Sequence, residues 1–434
     1  MTATRVESPP SASPDLLEPV RPRRTAPLSW WHRLSTAWRE ALWAFLLSRV
    51  MLVFITFVAT SKGGPGGFQC LSQPVDCVKT WRHFDVGYYL QIAAHGYWDP
   101  HLPARWAADG SRFNGEYPEA VAFFPLWPKL LGWLSTPFGR TYWHAFYVGL
   151  ALAAVLTLVT YWLLYKLISE QFDDRVARWT LFFFAFSPFA IFYASGYGEV
   201  LFLPLALLVF LFARRERWWL AGLCGLLAAL TRPNAVLLVI VFAVALVRIY
   251  GFRGLFTPRD LGAKLKIVGA AALVPAGVGL YMAYLWVKWG EPLAFVRWQT
   301  DYWHRTTQWP WQPIVRAVDV VIHSTTIAGS NPTDSLWELV WIAVPLIAVA
   351  LTWRRMPVEY SLFTTAVFLM TITVASPEGE PLLSITRHLA GAFPVAVAYG
   401  LLAGRNRPRQ LLLVLSLAFF GLFTAYFVTG RWVA

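Results

Sequence analysis

Apolar residues recur along the chain in windows of about 15 to 25 residues, separated by polar or basic stretches. A helix of about 20 residues crosses a hydrocarbon layer about 30 Å thick, so each window is a candidate membrane span. The pattern predicts about eleven membrane-spanning helices. Their approximate bounds are 41–60, 142–166, 178–195, 199–213, 218–231, 234–250, 267–288, 336–352, 358–375, 386–403 and 411–430.

Composition agrees with this pattern. The chain is 57% hydrophobic and only 14% charged, against about 25% charged residues in soluble domains, which indicates an all-α polytopic membrane protein. A net charge of +13 would suit a nucleic-acid partner, but the basic residues form short clusters between the apolar windows. That arrangement is typical of membrane orientation. We therefore expect membrane lipids and no nucleic acid as partners.

The basic clusters alternate in a way that orients the chain. Clusters at 214–217, 248–266, 354–355 and 405–409 all fall on the cytoplasmic side if the N-terminus is cytoplasmic. The outer loops are then 61–141, 289–335 and 376–385, and they are the chemically rich ones.

The chain divides into a tail and one membrane domain. Residues 1–28 are rich in Pro, Ser and Arg, which predicts a disordered cytoplasmic tail before a single domain at 29–434. Within that domain, 61–141 is the first outer loop. Its two cysteines, Cys70 and Cys77, form a disulfide only if that compartment is oxidising. Prolines break the apolar segment 121–129, so we expect interfacial or re-entrant helices there.

Polar turns join several short spans at the predicted outer face. They are Ser195-Gly196-Tyr197-Gly198-Glu199 and Thr231-Arg232-Pro233-Asn234. Unsatisfied backbone survives at membrane depth only where protein or a water-filled cavity covers it. These turns therefore predict a cavity that opens outward.

One acid in the first outer loop lies beside two phenols. Asp85, Tyr88, Tyr89 and Ile92 follow helical spacing, which places them on one face of a helix. The acid can act as a catalytic base. It can equally act as an N-cap, because Asp at a helix start often satisfies free backbone N–H groups.

Further polar residues lie at the predicted outer rim. Ionisable groups at span boundaries are costly and are functional candidates, although an arginine there can also extend to lipid headgroups. This set consists of Glu199, Arg232, Gln299, Trp303, Arg305, Arg387 and His388.

Carboxylate, guanidinium and aromatic groups at one membrane face suit a lipid-linked sugar phosphate. Guanidinium binds phosphate through a planar donor fork, and Tyr88, Tyr89 and Trp303 can stack on sugar rings. The alternative for these rings is an interfacial aromatic belt. The histidines are scattered without ligand spacing, so we predict no metal and no cofactor.

Several motifs resemble a known family. His83 to Tyr97 resembles the W-D-A-x-x-Y/F-x-x-I-A-x-x-G-Y signature of the membrane mannosyltransferases that include the second mannosyltransferase of GPI-anchor synthesis (the PIG-V type) and its bacterial relatives. Further matches follow in the family's order, with Phe84, Gly198 and His388 as departures from it. They are Phe123-Phe124-Pro125-Leu126-Trp127-Pro128, Ser187-Pro188, Tyr197-Gly198-Glu199, Thr231-Arg232-Pro233-Asn234, Gln299 with Trp303 and Arg305, and Ser384 with Arg387-His388 and Phe393-Pro394.

The resemblance implies an inverting GT-C-like glycosyltransferase with a polyprenyl-phosphate mannose donor. It implies that Asp85 is the base, with Glu199 as a possible second acid, and a glycolipid or glycan acceptor. Arg232, Arg387, Arg305 and His388 would hold the donor phosphate, and Tyr88, Tyr89, Tyr197, Asn234, Gln299 and Trp303 would contact sugar or acceptor. We expect a bacterial plasma membrane, with the site outside. The alternative function is a flippase or transporter of lipid-linked sugars without transferase activity.

Overall fold

The computed structural model describes residues 34–61, 74–101, 117–323, 332–376, 381–382 and 384–433. The predicted tail at 1–28 and Cys70 lie outside these residues. Cys77 is disulfide-bonded and Cys224 is a free thiol. Within the described ranges the chain is helical nearly throughout, and its strands are one pair of two residues each.

Seventeen α-helices and two strands are found in the part of the chain that the structure describes. In chain order they are α1 (Thr36–Ser61), α2 (Pro74–Lys79), α3 (Asp85–His95), α4 (Leu126–Leu134), α5 (Tyr142–Gln171), α6 (Asp174–Ala185), α7 (Glu199–Arg214), α8 (Trp218–Ala229), α9 (Val239–Leu255), α10 (Leu261–Trp289), α11 (Ala294–Asp301), β1 (Thr306–Thr307), α12 (Trp311–His323), α13 (Pro332–Thr352), α14 (Val358–Thr373), β2 (Val374–Ala375), α15 (Ile385–Ala390), α16 (Pro394–Leu402) and α17 (Asn406–Val428). Short 3₁₀ segments occupy Pro118–Ala122, Thr136–Phe138, Pro188–Tyr193 and Pro233–Leu238.

Six described helices are long and apolar enough to cross a membrane, which confirms the all-α polytopic prediction. They are Thr36–Ser61, Tyr142–Gln171, Pro233–Leu255, Leu261–Trp289, Pro332–Thr352 and Asn406–Val428. Trp218–Ala229 and Val358–Thr373 are shorter apolar helices. The total of eleven spans stays a prediction.

Two predicted spans are not continuous helices. In 178–195, α6 ends at Ala185 and a 3₁₀ segment begins at Pro188; in 386–403, α15 ends at Ala390 and α16 begins at Pro394. Proline lacks the N–H that a helix interior needs, but it fits the first position of a new helix. These breaks produce short helices at the end of the bundle where the outer loops meet.

The helix bundle has two distinct ends, which are separated by the full length of α5. One end carries the basic cluster at 214–217, and the other carries the long loops. At the first residue of α5, the Tyr142 hydroxyl accepts a hydrogen bond from Arg82 Nη1 at 3.3 Å. At the last turn, Glu170 accepts from Arg215 Nη2 at 2.8 Å. A helix of 30 residues is about 45 Å long. The basic cluster at 214–217 therefore lies at the opposite end of the bundle from the first outer loop.

Hydrogen bonds from buried aromatic side chains attach the first outer loop to the bundle. Trp127 Nε1 donates to the Gly196 carbonyl at 2.7 Å, and the Tyr281 hydroxyl donates to the Val121 carbonyl at 2.7 Å. Trp127 has no exposed surface. The proline-broken segment is thus packed into the protein and leads directly into α4.

The 3₁₀ segment that ends at Tyr193 links three parts of the bundle. The Tyr193 carbonyl accepts hydrogen bonds from Thr157 Oγ1 of α5 at 2.7 Å and from Arg49 Nη2 of α1 at 3.2 Å. The Tyr193 hydroxyl donates to the Ala390 carbonyl at the end of α15 at 2.7 Å. These bonds fix the position of α15, which carries two predicted site residues.

Close contact between α8 and α10 depends on glycine. A Cβ atom at Gly277 would lie 2.8 Å from the Ala229 Cβ and against the Leu226 carbonyl, whereas one at Gly279 would meet nothing within 4 Å. Small residues let membrane helices approach closely. The two glycines share one helix and differ in what they face.

We expect Gly277→Ala to destabilise the protein by about 1–3 kcal/mol through overpacking. Gly279→Ala, the matched control, should be neutral or stabilising by up to about 1 kcal/mol because alanine is the better helix former. Thermal unfolding of the detergent-solubilised protein measures both. Equal shifts for the two variants would contradict the close α8–α10 contact.

Candidate active site

A cavity of about 840 Å³ lies where the predicted outer loops meet. Ligand pockets are commonly 300–1,000 Å³ in volume. Its wall comes from α3, residues 117–124, the start of α5, the turn at 231–233, the loop at 299–305 and residues 384–388. The predicted residues that line it are Asp85, Tyr88, Tyr89, Arg232, Gln299, Trp303, Arg305, Arg387 and His388.

Three predicted residues do not line the cavity. Glu199 and Tyr197 have no exposed surface, and Asn234 is 7% exposed. Glu199 lies behind the arginines, and the Tyr197 ring lies 4.7 Å from the guanidinium carbon of Arg387. These side chains therefore support the wall of the cavity.

Asp85 is the first residue of α3, and its carboxylate forms an ion pair with Arg387. The residue before it, Phe84, takes the N-cap position with a φ of 56°. Among the described residues, no backbone N–H donates to the Asp85 carboxylate, so the N-cap alternative is wrong. The carboxylate is 13% exposed, which leaves part of it open to the cavity.

Glu199 holds two arginines with one carboxylate oxygen. Arg387 Nε donates to Glu199 Oε1 at 2.7 Å, and Arg232 pairs with the same oxygen without hydrogen-bond alignment. Buried charges persist only when paired. The result is a chain of alternating charges that runs from Asp85 through Arg387 and Glu199 to Arg232, with no net charge.

Arg305 makes the cluster positive. Its backbone N–H donates to the Gln299 carbonyl at 2.9 Å, and its Nη1 donates to Gln299 Oε1 at 3.4 Å. Burial, together with repulsion from Arg387, lowers the pKa of Arg305 to about 10, so the guanidinium is still protonated at neutral pH. With two carboxylates and three guanidinium groups, the cluster has one positive charge in excess. Arg82 adds a further guanidinium group to the cavity wall, so the site suits an anion.

Tyr89 is buried beside Arg387, with its hydroxyl 3.5 Å from Arg387 Nη2. Burial raises the pKa of Tyr89, and this outweighs the lowering effect of the Arg387 guanidinium, so the phenol is neutral. Gly198 accommodates this ring, because a Cβ there would lie 3.0 Å from the Tyr89 hydroxyl. The glycine that departs from the family pattern thus gives Tyr89 its space.

Aromatic rings form another part of the cavity wall. Tyr88 stacks on Phe123 at 4.8 Å and meets Trp303 edge-on at 6.0 Å. Its hydroxyl is 3.3 Å from that of Tyr302. Flat rings with polar tips suit sugar recognition, since one end is apolar and the other can hydrogen-bond.

Sequence reasoning missed several residues in the wall. Tyr302 is adjacent to the predicted Trp303, so the loop's aromatic content pointed to it. Phe84, Gln91 and Ser384 lie within the motif matches, which assigned them no role. The others carry no local signal, because only folding brings them here. They are Arg82, Tyr117 and Tyr142, together with Trp432 beyond α17.

Backbone strain is concentrated at this site. Of the six described non-glycine residues with positive φ, Phe84, His304 and Ser384 lie within three positions of a charged residue in the cavity wall. Such conformations cost about 1–3 kcal/mol each and persist only where the surroundings impose them. The fold therefore fixes the backbone from which the charged side chains project.

No protein-family model matches the chain. It is 25% identical over 236 residues to GPI mannosyltransferase 2 of Schizosaccharomyces pombe, which covers 48% of this chain and 46% of that protein. The matched region is therefore about half the length of this curated relative. The resemblance seen in the motifs is confirmed as a distant similarity.

Solved structures of an archaeal membrane enzyme are also similar. The oligosaccharyltransferase of Archaeoglobus fulgidus in the apo form gives a TM-score of 0.44 at 13% identity, covering 90% of this chain and 56% of that one. The same organism's enzyme in complex with an inhibitory peptide and a dolichol-phosphate gives 0.42 at 13% identity, covering 94% and 57%. These are weak similarities in helix arrangement.

We expect Glu199→Gln to destabilise the protein by about 3–5 kcal/mol, because it leaves two buried guanidinium groups without their anion. The control is Glu40→Gln, which removes a half-exposed pair with Arg178 and should cost at most about 1 kcal/mol. Thermal unfolding in detergent measures both variants. If Glu199→Gln is as mild as its control, the carboxylate does not hold the arginines together.

Proposed function

We propose that the protein is an inverting membrane glycosyltransferase. It transfers mannose from a polyprenyl phosphate to a hydroxyl of a glycolipid or glycan, with Asp85 as general base. The observation that carries the proposal is one cavity lined by the carboxylate of Asp85, by four guanidinium groups and by aromatic rings. The similarity to a GPI mannosyltransferase supports mannose as the sugar.

In this mechanism the carboxylate of Asp85 takes the proton from the acceptor hydroxyl. The acceptor oxygen attacks the anomeric carbon as the bond from that carbon to the phosphate oxygen breaks. A single displacement from the opposite face inverts the configuration. Ion pairing with Arg387 holds the Asp85 carboxylate in the cavity wall, where a base must lie to reach the acceptor hydroxyl.

Arg232, Arg305 and Arg387 stabilise the departing phosphate. The phosphate leaves already charged, so fixed guanidinium groups oriented before the reaction are the main requirement. Glu199 supplies that orientation for two of them and is a positioning residue, because its side chain is fully buried. Independence from divalent metal stays a prediction.

The positive-inside rule supports an outward-facing site. The basic cluster at 214–217 lies at the end of α5 opposite the cavity, and basic loops are retained on the cytoplasmic side. The donor's isoprenoid chain would then lie among the apolar helices, with its sugar phosphate at the outer rim. A bacterial plasma membrane remains part of the proposal.

Asp85→Asn should lower kcat about 10²- to 10⁴-fold, because the amide cannot accept the proton. Binding of polyprenyl-phosphate mannose should be retained. The control is Asp301→Asn, which removes a half-exposed partner of Arg297 outside the cavity and should leave transfer unchanged. The assay follows labelled mannose into glycolipid in vesicles.

Two outcomes of that assay would overturn the proposal. Wild-type protein that moves the donor across vesicles without making product would instead be a flippase. Full activity in Asp85→Asn would remove Asp85 as the base.

Arg305→Gln should raise the KM for the donor about tenfold or more, because a charge-assisted hydrogen bond to phosphate is lost. Arg305→Lys should restore part of the affinity by keeping the charge. Arg316→Gln is the control, since Arg316 donates to the Ser376 carbonyl at 2.7 Å and does not line the cavity. Equal KM values for Arg305→Gln and wild type would exclude Arg305 from phosphate binding.

A further inference from the structure

His388 differs from the arginines beside it in its hydrogen bonding. Its Nδ1 lies 2.6 Å from the carbonyl oxygen of Ser384. A carbonyl oxygen only accepts, so Nδ1 must carry the proton in this contact. Ser384 is held in the left-handed region at φ 68°, immediately before α15. The backbone therefore fixes the tautomer of the ring.

The second ring nitrogen faces the cavity. His388 lines the cavity wall, and among the described residues Nε2 makes no hydrogen bond. With Nδ1 protonated, Nε2 of the neutral ring has a lone pair and can only accept. A hydrogen-bond acceptor is therefore placed on a wall otherwise rich in guanidinium donors.

The surroundings oppose a positive charge on this ring. Arg232, Arg305 and Arg387 all act on it electrostatically, and the ring is largely buried. Since the arginines already supply the positive charge, a neutral imidazole is favoured here. Phosphate oxygens of an ionised ester are also acceptors, so Nε2 has nothing to donate to them. Among the groups of an ionised lipid-linked sugar phosphate, the one that Nε2 can bind is a hydroxyl.

We propose that His388 Nε2 accepts a hydrogen bond from a hydroxyl of the transferred sugar and so selects a glycosylated donor over the bare lipid phosphate. This inference rests on the proposed function, and it gives His388 a role other than the phosphate binding expected from sequence. The sugar is the fitting partner because the three arginines place the phosphate beside this ring, and the sugar is bonded directly to the phosphate.

The test measures binding, with polyprenyl-phosphate mannose and polyprenyl phosphate as the two probes, to protein in lipid nanodiscs. His388→Leu should weaken binding of the mannosylated lipid about tenfold and leave binding of the bare phosphate unchanged. His388→Gln should recover most of the loss, since the glutamine side chain keeps an oxygen acceptor. Unfolding temperatures confirm that both variants are folded.

Deoxy analogues of the donor identify the hydroxyl. One deoxymannosyl lipid should bind wild type about tenfold more weakly than polyprenyl-phosphate mannose does. The affinity for that lipid should not fall further in His388→Leu. The other deoxy analogues should stay sensitive to that substitution. Non-additivity of this kind isolates the one pair of groups that interact.

The results separate this inference from the proposed function. If His388→Leu weakens both lipids equally, His388 binds phosphate and the inference is overturned while the glycosyltransferase proposal stands. If wild type binds neither lipid, the proposed donor itself is wrong.

Discussion

The site depends on the ion pairs that the fully buried carboxylate of Glu199 forms. It pairs with both Arg387 and Arg232, and Arg387 in turn pairs with Asp85. Without that anion, two guanidinium groups would be buried side by side. Their repulsion would be strong, because charges interact more strongly in a low-dielectric interior than in water. One side chain that never reaches the cavity therefore determines where Arg232 and Arg387, the proposed phosphate-binding groups, point and where Asp85, the proposed base, is held.

The sequence predicted the helical fold and the convergence of the rim residues well. Apolar length and helical spacing are local properties, so windows such as 142–166 and 336–352 matched helices directly. Continuity across 178–195 and 386–403 was wrong, because prolines at 188 and 394 start new segments there. The break before Pro394 leaves the short helix α15 in the cavity wall.

Individual roles were harder to predict because they depend on burial and on distant partners. Glu199 and Asp85 are both acids at a helix start, yet one is enclosed and the other faces the cavity. Spacing could not tell them apart, because Arg387, which links them, comes 188 residues after Glu199. Trp432 enters the wall only through the packing of α17, and no local pattern marked it.

The large separation along the chain between Asp85 and Arg387 has a consequence for biogenesis. The two residues are 302 positions apart, so at about 5–20 residues per second the ribosome makes the acid roughly 15–60 s before its partner. Glu199 and Arg232, by contrast, belong to neighbouring helices and can neutralise each other early during membrane insertion. The newly made protein would thus hold a preassembled half of the charge chain, and the late arrival of α15 would complete it.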